Sequence, residues 1–259
     1  AAKLAESPRC GTLYIAPGNG GTLELGENVA LDAEDPSAVA DFARETGCGL
    51  VVIGPEAPLV KGVADAVREA GIPCFGPGAA GAQLEGSKRF SKELMARAGI
   101  PTAAYGSFTD EESALAYVRE QGAPVVVKAD GLAAGKGVVV ALTLDEALQA
   151  VHECFDGAFG AAGSTVVIEE MLTGPECTLL AFTDGKAVRP MATSQDHKRA
   201  LEGDLGPNTG GMGVYSPVPI VTDEEHAEMC RILDETIAAA NREGIDFRGC
   251  LYGGFMLTP

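Results

Sequence analysis

Residues 124–140 read PVVVKADGLAAGKGVVV. One β-branched run carries Lys128 at its end, a glycine-rich segment carries Lys136, and a second β-branched run follows. Valine favours a pleated, packed surface, so the stretch predicts strands over 124–129 and 138–141 with a loop over 130–137. Gly131, Gly135 and Gly137 would let backbone N–H groups approach phosphate oxygens, and the two lysines would neutralise them. This is not a Walker loop: the GxxxxGK[ST] spacing is absent, and a strand follows the loop instead of a helix. A plain hairpin with a soft turn satisfies the same pattern. Two lysines at this spot, among only 19 Lys and Arg in the chain, favour phosphate. Lys128 sits at a strand end and Lys136 on a flexible loop, so Lys128 is expected to contribute more to binding.

Outward from this stretch, helices are predicted over 110–121 and 143–154, a second glycine-rich loop over 157–163, and a strand over 164–169. SKRFSKELMARAG (87–99) predicts a helix with Ser87 as N-cap and Gly99 as terminator. The first 80 residues alternate strand and helix patterns. A strand over 12–15 leads to the turn PGNGGT (17–22), and a helix over 36–46 starts at Asp35-Pro36. GLVVIGPEAPL (49–59) is a strand ending in a loop, a helix over 59–71 stops at Gly71, and IPCFGP is a further strand. Short apolar strands between helices imply a parallel sheet covered on both faces. Ligands of such sheets lie at strand carboxyl ends, where the turns 17–22 and 54–59 fall. Beyond residue 170, strand-like segments run over 176–195, a Gly/Asn/Pro loop over 203–219, a helix over 223–242 and a strand over 249–257. No internal repeat is evident.

The chain has 259 residues, enough for one large or two to three small domains. It holds 37 Asp and Glu, and a formal charge of −18 argues against a nucleic-acid or anionic-membrane surface. A small anionic ligand needs only a few local cations. Seven cysteines, odd in number and without CxxC, read as reduced thiols of a cytoplasmic protein. No apolar run reaches membrane-spanning length, and no signal peptide is seen.

Two more segments carry chemistry. TVVIEEMLTGPE (165–176) ends a strand in Glu169 and Glu170, with Glu176 beyond. Backbone groups there suit an adenine edge and a carboxylate suits ribose hydroxyls, though a solvated acidic turn reads the same way. SQDHKRALEGDLGPNTGGMGVYSP (194–217) combines Asp196, His197, Lys198 and Arg199 with a backbone-donor loop. His197 has the chemistry of a general base but more commonly orients a neighbour. His152 and His226 fall on helices and read as incidental. No triad or zinc-ligand spacing is present.

SKRF, VVVKADGLAAGKGV, IEEMLTGPE, SQDHKR and GPNTGGMG, in this order, resemble the phosphoribosylamine–glycine ligases (glycinamide ribonucleotide synthetases), a family of the ATP-grasp superfamily. APGNGGT and VVIGPEAPL match that family's first domain. The resemblance implies an α/β protein: an ATP-grasp fold with an α+β lid, preceded by a Rossmann-like, parallel-sheet pre-ATP-grasp domain. The implied boundaries are 1–82 for that first domain, 83–106 and 171–259 for the ATP-grasp core, and 107–170 for the lid. The implied reaction joins glycine to 5-phosphoribosylamine with cleavage of ATP, by way of glycyl phosphate, in purine synthesis. Another ATP-grasp carboxylate–amine ligase and a non-catalytic nucleotide-binding fragment are the alternatives.

By the same resemblance Lys88 and Lys128 bind ATP phosphates. Gly131 to Gly137, with Gly135 and Lys136, close over them. Glu169, Glu170 and Leu172 frame adenine, and Glu176 binds ribose. Lys128, Lys136 and Asp196 are the implied catalytic residues. Asp196, Lys198 and Asn208, Thr209, Gly210, Gly211, Met212 and Gly213 form the substrate side. Gly18, Asn19, Pro55 and Glu56 belong to the first domain's sugar-phosphate surface. No metal ligand is expected within the chain. The family's Gly-Gly-Arg-Glu-His turn would precede Ala1, and its ligands for Mg²⁺ or Mn²⁺ would follow Pro259. The sequence is thus expected to be truncated at both ends and inactive alone. Pro175 stands where the family commonly has Glu. Partners are expected to be small molecules only, with a monomer as the working form.

Overall fold

The computed structural model describes residues 1–132, 137–203 and 205–258, and for 161, 207 and 208 the backbone alone. Contacts divide the chain into two units, 1–79 and 80–259.

The first unit holds α1 (Ala2–Ala5), β1 (Tyr14–Ile15), β2 (Glu27–Asn28), α2 (Pro36–Glu45), β3 (Val51–Val52), α3 (Glu56–Val60), α4 (Val63–Glu69) and β4 (Cys74–Phe75). Pairing is parallel, as the βα alternation requires, but it forms two pairs, β1 with β2 and β3 with β4. β2 is not anticipated, because Glu27-Asn28 has no apolar period to betray it. Asp35 starts α2 by accepting from the amides of Ser37 and Ala38, which have no partner within the helix. The single helix expected over 59–71 is two. Gly62 takes a left-handed φ of 85°, its amide closes α3 on Leu59 O, and its carbonyl begins α4. The expected turn over 54–59 likewise already contains the start of α3, with Pro55 at its N-cap. Ala40, Ile53, Val63, Ala64 and Val67 form the buried centre of this unit.

The second unit opens with α5 (Ala79–Gly86), α6 (Lys88–Ala98), β5 (Tyr105–Phe108), α7 (Glu111–Gln121), β6 (Val125–Ala129), β7 (Val138–Ala141), α8 (Leu144–Glu153) and β8 (Val166–Glu170). Its four strands form one sheet in the order β5-β8-β6-β7, antiparallel throughout. Alternation sends Val125, Val127, Ala129, Val166 and Ile168 to one face, where Ala114 and Val118 of α7 and Ala147, Ala150 and Val151 of α8 bury them. The loop expected over 157–163 is instead wound into a π turn at Cys154–Ala158 and a 3₁₀ turn at Gly160–Ser164. A Cβ on Gly163 would stand 2.2 Å from Cys154 O, so the glycine there serves close approach of two backbone segments.

Next come β9 (Glu176–Thr183), β10 (Val188–Pro190), β11 (Gln195–Leu201), β12 (Leu205–Tyr215), α9 (Asp223–Arg242) and β13 (Gly249–Met256). β9 lies between β10 and β13. Cys177, Leu179 and Ala181 pack there with Leu251 and with Met229, Leu233 and Ile237 of α9. The loop expected over 203–219 is largely strand: β12 pairs antiparallel with β11, with register shifts between His197 and Arg199 and between Arg199 and Leu201. Glycine and asparagine made this segment read as coil. SQDHKRAL supplies the backbone partners, and pairing overrides local propensity. Among the described residues no helix is long and apolar enough to cross a membrane.

α9 begins at a capping box. Thr222 Oγ1 accepts from Glu225 N at 3.2 Å, and Glu225 Oε2 accepts from Thr222 N at 2.7 Å. Thr222→Ala is expected to destabilise the chain by about 1 kcal/mol, read as a lowered thermal unfolding midpoint. An unchanged midpoint would show that packing alone holds the helix start.

Candidate functional site

Ser87 begins α6 by accepting from Phe90 N at 3.1 Å, and its hydroxyl donates to Asp130 at 2.9 Å. Asp130 also accepts from Arg89 N at 3.1 Å. One carboxylate just after β6 therefore sits on the amide-rich start of α6, where the helix dipole favours negative charge. This latch sets Lys88 beside the strand end, and Lys88 Nζ donates to Gly131 O at 2.9 Å. Gly131 has φ 82°, a conformation that costs glycine nothing. Ala129 N donates to Gly137 O at 2.8 Å, closing the root of the glycine-rich segment. Gly135 and Lys136, expected to close over phosphates, lie outside the described residues.

Antiparallel partners point to the same face. Lys128 pairs with Val167, while Glu169 pairs with Val126 and Tyr105. Lys128, Glu169 and Tyr105 therefore share the face opposite the α7–α8 core. Glu169 is 7% exposed, and its Oε2 lies 2.8 Å from Lys128 Nζ and 3.3 Å from Lys92 Nζ. Lys92 is 6% exposed. Its ammonium also donates to Thr102 Oγ1 at 2.8 Å and Ala103 O at 3.2 Å and lies 5.5 Å from the centre of the Tyr105 ring. Burial draws Lys92 below its ordinary value against the pull of Glu169. Burial also lowers Lys88, with Asp130 opposing and Lys128 adding to the shift. Two lysines thus share one carboxylate oxygen, and Lys88 stands nearby on Gly131 O beside the glycine-rich segment.

Lys92 was not singled out by sequence reasoning. The signal that exposes it is its i, i+4 spacing from Lys88, which puts both on one face of α6. Glu170 ends β8 and takes a separate role: its Oε1 accepts from Ala104 N at 2.8 Å. Leu172 lies half-buried between β8 and β9.

A second cluster gathers at β9 and the β11–β12 hairpin. Lys198 Nζ lies 2.9 Å from Glu176 Oε2 and 3.9 Å from Asp196 Oδ1. Burial alone would lower Lys198, but the hydrogen bond and charge of Glu176 outweigh it and the net shift is upward. Thr209 Oγ1 donates to Lys198 O and accepts from Gly211 N, so the threonine braces the hairpin. Gly210, Gly211, Met212 and Gly213 lie on β12, with Gly213 opposite His197 and the Asn208 backbone opposite Arg199. The His197 ring lies 5.9 Å from that of Tyr215.

The remaining expected residues lie in the first unit. Gly18 has φ 76°, and a Cβ there would meet the Asn28 side chain at 2.2 Å. Asn19 Oδ1 accepts from the amides of Gly21 and Thr22, so this side chain builds its own turn. Pro55 and Glu56 stand at the start of α3.

The donor set suits polyphosphate: Lys88, at the start of α6, and Lys128, near the end of β6, are cations beside the glycine-rich segment. It does not suit a divalent cation. Glu169 is held by lysines, Glu170 by an amide and Glu176 by Lys198, and among the described residues no three His, Cys, Asp or Glu are grouped to hold a metal ion. All seven cysteines are free thiols, and burial pushes Cys154 up to about 11.

Residues 86–259 match the family described as phosphoribosylglycinamide synthetase, ATP-grasp (A) domain, and residues 1–85 match its N domain. The chain is 56% identical over 259 residues to a phosphoribosylamine–glycine ligase of Allochromatium vinosum, covering 98% of this chain and 60% of that one. It is 55% identical over 259 residues to that of Escherichia coli K12, with the same coverage. A solved Thermotoga maritima phosphoribosylamine–glycine ligase superposes with a TM-score of 0.83 at 30% identity, covering 98% of this chain and 62% of that one. The biotin carboxylase domain of Hydrogenobacter thermophilus 2-oxoglutarate carboxylase shares the fold, with a TM-score of 0.71 at 21% identity over 90% of this chain and 51% of that one. The chain spans about 60% of the length of the curated relatives it matches.

Proposed function

Because the chain belongs to the phosphoribosylglycinamide synthetase family, we propose that it carries the nucleotide-binding part of an enzyme ligating glycine to 5-phosphoribosylamine, with ATP cleaved to ADP and phosphate by way of glycyl phosphate. The observation that carries this reading is Lys88 on Gly131 O with the charge of Lys128 near enough to act on it. ATP, when bound, supplies the phosphoryl group that activates the glycine carboxylate. The chain's own residues orient the nucleotide and neutralise its phosphates, which is most of what phosphoryl transfer asks of a protein. Lys88 and Lys128 would hold phosphate oxygens. Glu169 and Leu172 would frame adenine through their backbone, and Glu176 would bind ribose. Asp196, Lys198 and the Asn208–Gly213 strand would face glycine and the ribosylamine. Gly18, Asn19, Pro55 and Glu56 would line the sugar-phosphate surface. In this reading 107–170 is the lid, 83–106 and 171–259 are the core, and 1–82 is the pre-ATP-grasp domain. Glu169, Glu170 and Glu176 are already engaged by lysines or an amide, so no step here is assigned to a divalent cation. We also place the reaction in the cytoplasm, on small molecules, with a monomer as the working form. The net charge of −18 supports the absence of a polyanionic partner.

The test is calorimetric titration with ATP. Saturable binding is expected, weakened about tenfold or more by Lys88→Ala, since a charge-assisted contact contributes about 1.5–3 kcal/mol. No saturable binding by the native chain would overturn the assignment.

A further inference from the structure

Glu169 holds two lysines with one carboxylate oxygen, and the two differ in access. The Lys128 side chain is 25% exposed, while those of Lys92 and Glu169 are each 8% exposed. Lys92 is also tied to Thr102 Oγ1 and Ala103 O. It is already surrounded by acceptors and nearly sealed from solvent, so it is not placed to touch a nucleotide. Lys128 stands near the end of β6, next to the glycine-rich segment, and is the more accessible of the two lysines.

We propose that Lys92 is a positioning residue that lets Lys128 exchange Glu169 for a nucleotide phosphate. The proposal rests on the nucleotide site described above. When Lys128 turns to phosphate, Glu169 loses one of its two cations. A buried carboxylate left without a partner is costly, and that cost would be charged against nucleotide affinity. Lys92 stays with Glu169 through the exchange, so the carboxylate is never orphaned. Without Lys92, Lys128 would be the only described lysine on Glu169, and phosphate would have to compete with the carboxylate for it. Lys92 therefore sets nucleotide affinity without contacting nucleotide, and it does so only while Glu169 carries charge. Burial lowers Lys92, and Glu169 opposes that shift, which agrees with a cation kept in place by this carboxylate.

The experiment is ATP titration of the full chain in a double-mutant cycle over Lys92→Met and Glu169→Gln, with Lys128→Ala as the control and unfolding midpoints confirming the fold of each variant. Lys92→Met is expected to weaken ATP binding about tenfold or more with Glu169 present. In the Glu169→Gln background the same change is expected to alter affinity by less than about twofold, because no charge remains to be orphaned. Lys92→Arg keeps the cation and is expected to keep affinity within about threefold; it carries the test if Lys92→Met does not fold. Four results would overturn the proposal. Native affinity in Lys92→Met, with Lys128→Ala weakened, would remove the inference and leave the nucleotide site standing. Equal losses in both backgrounds would mean that Lys92 is only structural. A loss in Lys92→Arg of about tenfold or more would mean that shape, not charge, is what matters. No effect of Lys128→Ala would remove the nucleotide site, and the inference would fall with it.

Discussion

Glu169→Gln is expected to lower the stability of the second unit by about 3–5 kcal/mol, the cost of breaking a buried ion pair from one side. The substitution nearly preserves shape, so packing changes little. What changes is charge. Lys92, 6% exposed, keeps its neutral acceptors Thr102 and Ala103 but loses its carboxylate. Lys128 is more accessible and can turn to water, so most of the cost falls on Lys92. Glu170→Gln is the matched comparison. Its carboxylate accepts from Ala104 N at 2.8 Å at the exposed end of β8, and an amide oxygen can replace it there for about 1 kcal/mol or less. Urea unfolding of the two variants side by side reads the difference. Equal midpoints would mean that Glu169 is not the hub of the lysine cluster.

Lys128→Ala is expected to weaken ATP binding about tenfold to hundredfold, the equivalent of about 1.5–3 kcal/mol for a charge-assisted contact. The strand fixes its Cα in the sheet between Val127 and Ala129, both fully buried, so little ordering entropy is left to lose on binding. The side chain is already extended toward Glu169 at 2.8 Å. Removing it also frees Glu169 from one cation, but Lys92 remains, so folding should suffer much less than in Glu169→Gln. The two variants thus separate along different axes, one mainly in binding and the other mainly in stability. Calorimetry and urea unfolding on both check this. A Lys128→Ala chain with native affinity would displace the phosphate site from the end of β6.

Local chemistry made part of this visible in the sequence. VVVKA announces β6 because a run of three β-branched residues leads into one cation, and Ser87 and Gly99 bracket α6 with an N-cap and a left-handed terminator. Capped helices such as α7 and α9 were legible for the same reason. What was hidden depends on partners far along the chain. YGSF of β5 is short and carries a glycine, and it becomes a strand by pairing with 166–169, some sixty residues later. AAGAQLEG of α5 has almost no polar face to contrast with an apolar one. GPNTGGMG has the composition of a turn and is strand because SQDHKRAL lies beside it. Lys92 on α6 reads as an ordinary helix lysine; its spacing from Lys88 places it on the same face, but its burial comes from Glu169, Thr102 and Ala103, far along the chain or beyond the helix.

The strand order β5-β8-β6-β7 also puts the last of these four strands in the chain into the middle of their sheet. β6 and β7 are neighbours in the chain and can close as a hairpin early, with Lys128 already on it. β8 is made last and enters the middle of the sheet, between β5 and that hairpin, so its contacts close long loops and form slowly. Until it arrives, Lys128 has no Glu169, Asp130 N has no Thr165 O to donate to, and β5 has no neighbour. The contacts of Glu169 with Lys92 and Lys128 thus cannot form before β8 joins the sheet. Nucleotide affinity would then serve as a gauge of completed folding, because a chain trapped with β8 outside the sheet has the residues of the site but not the site.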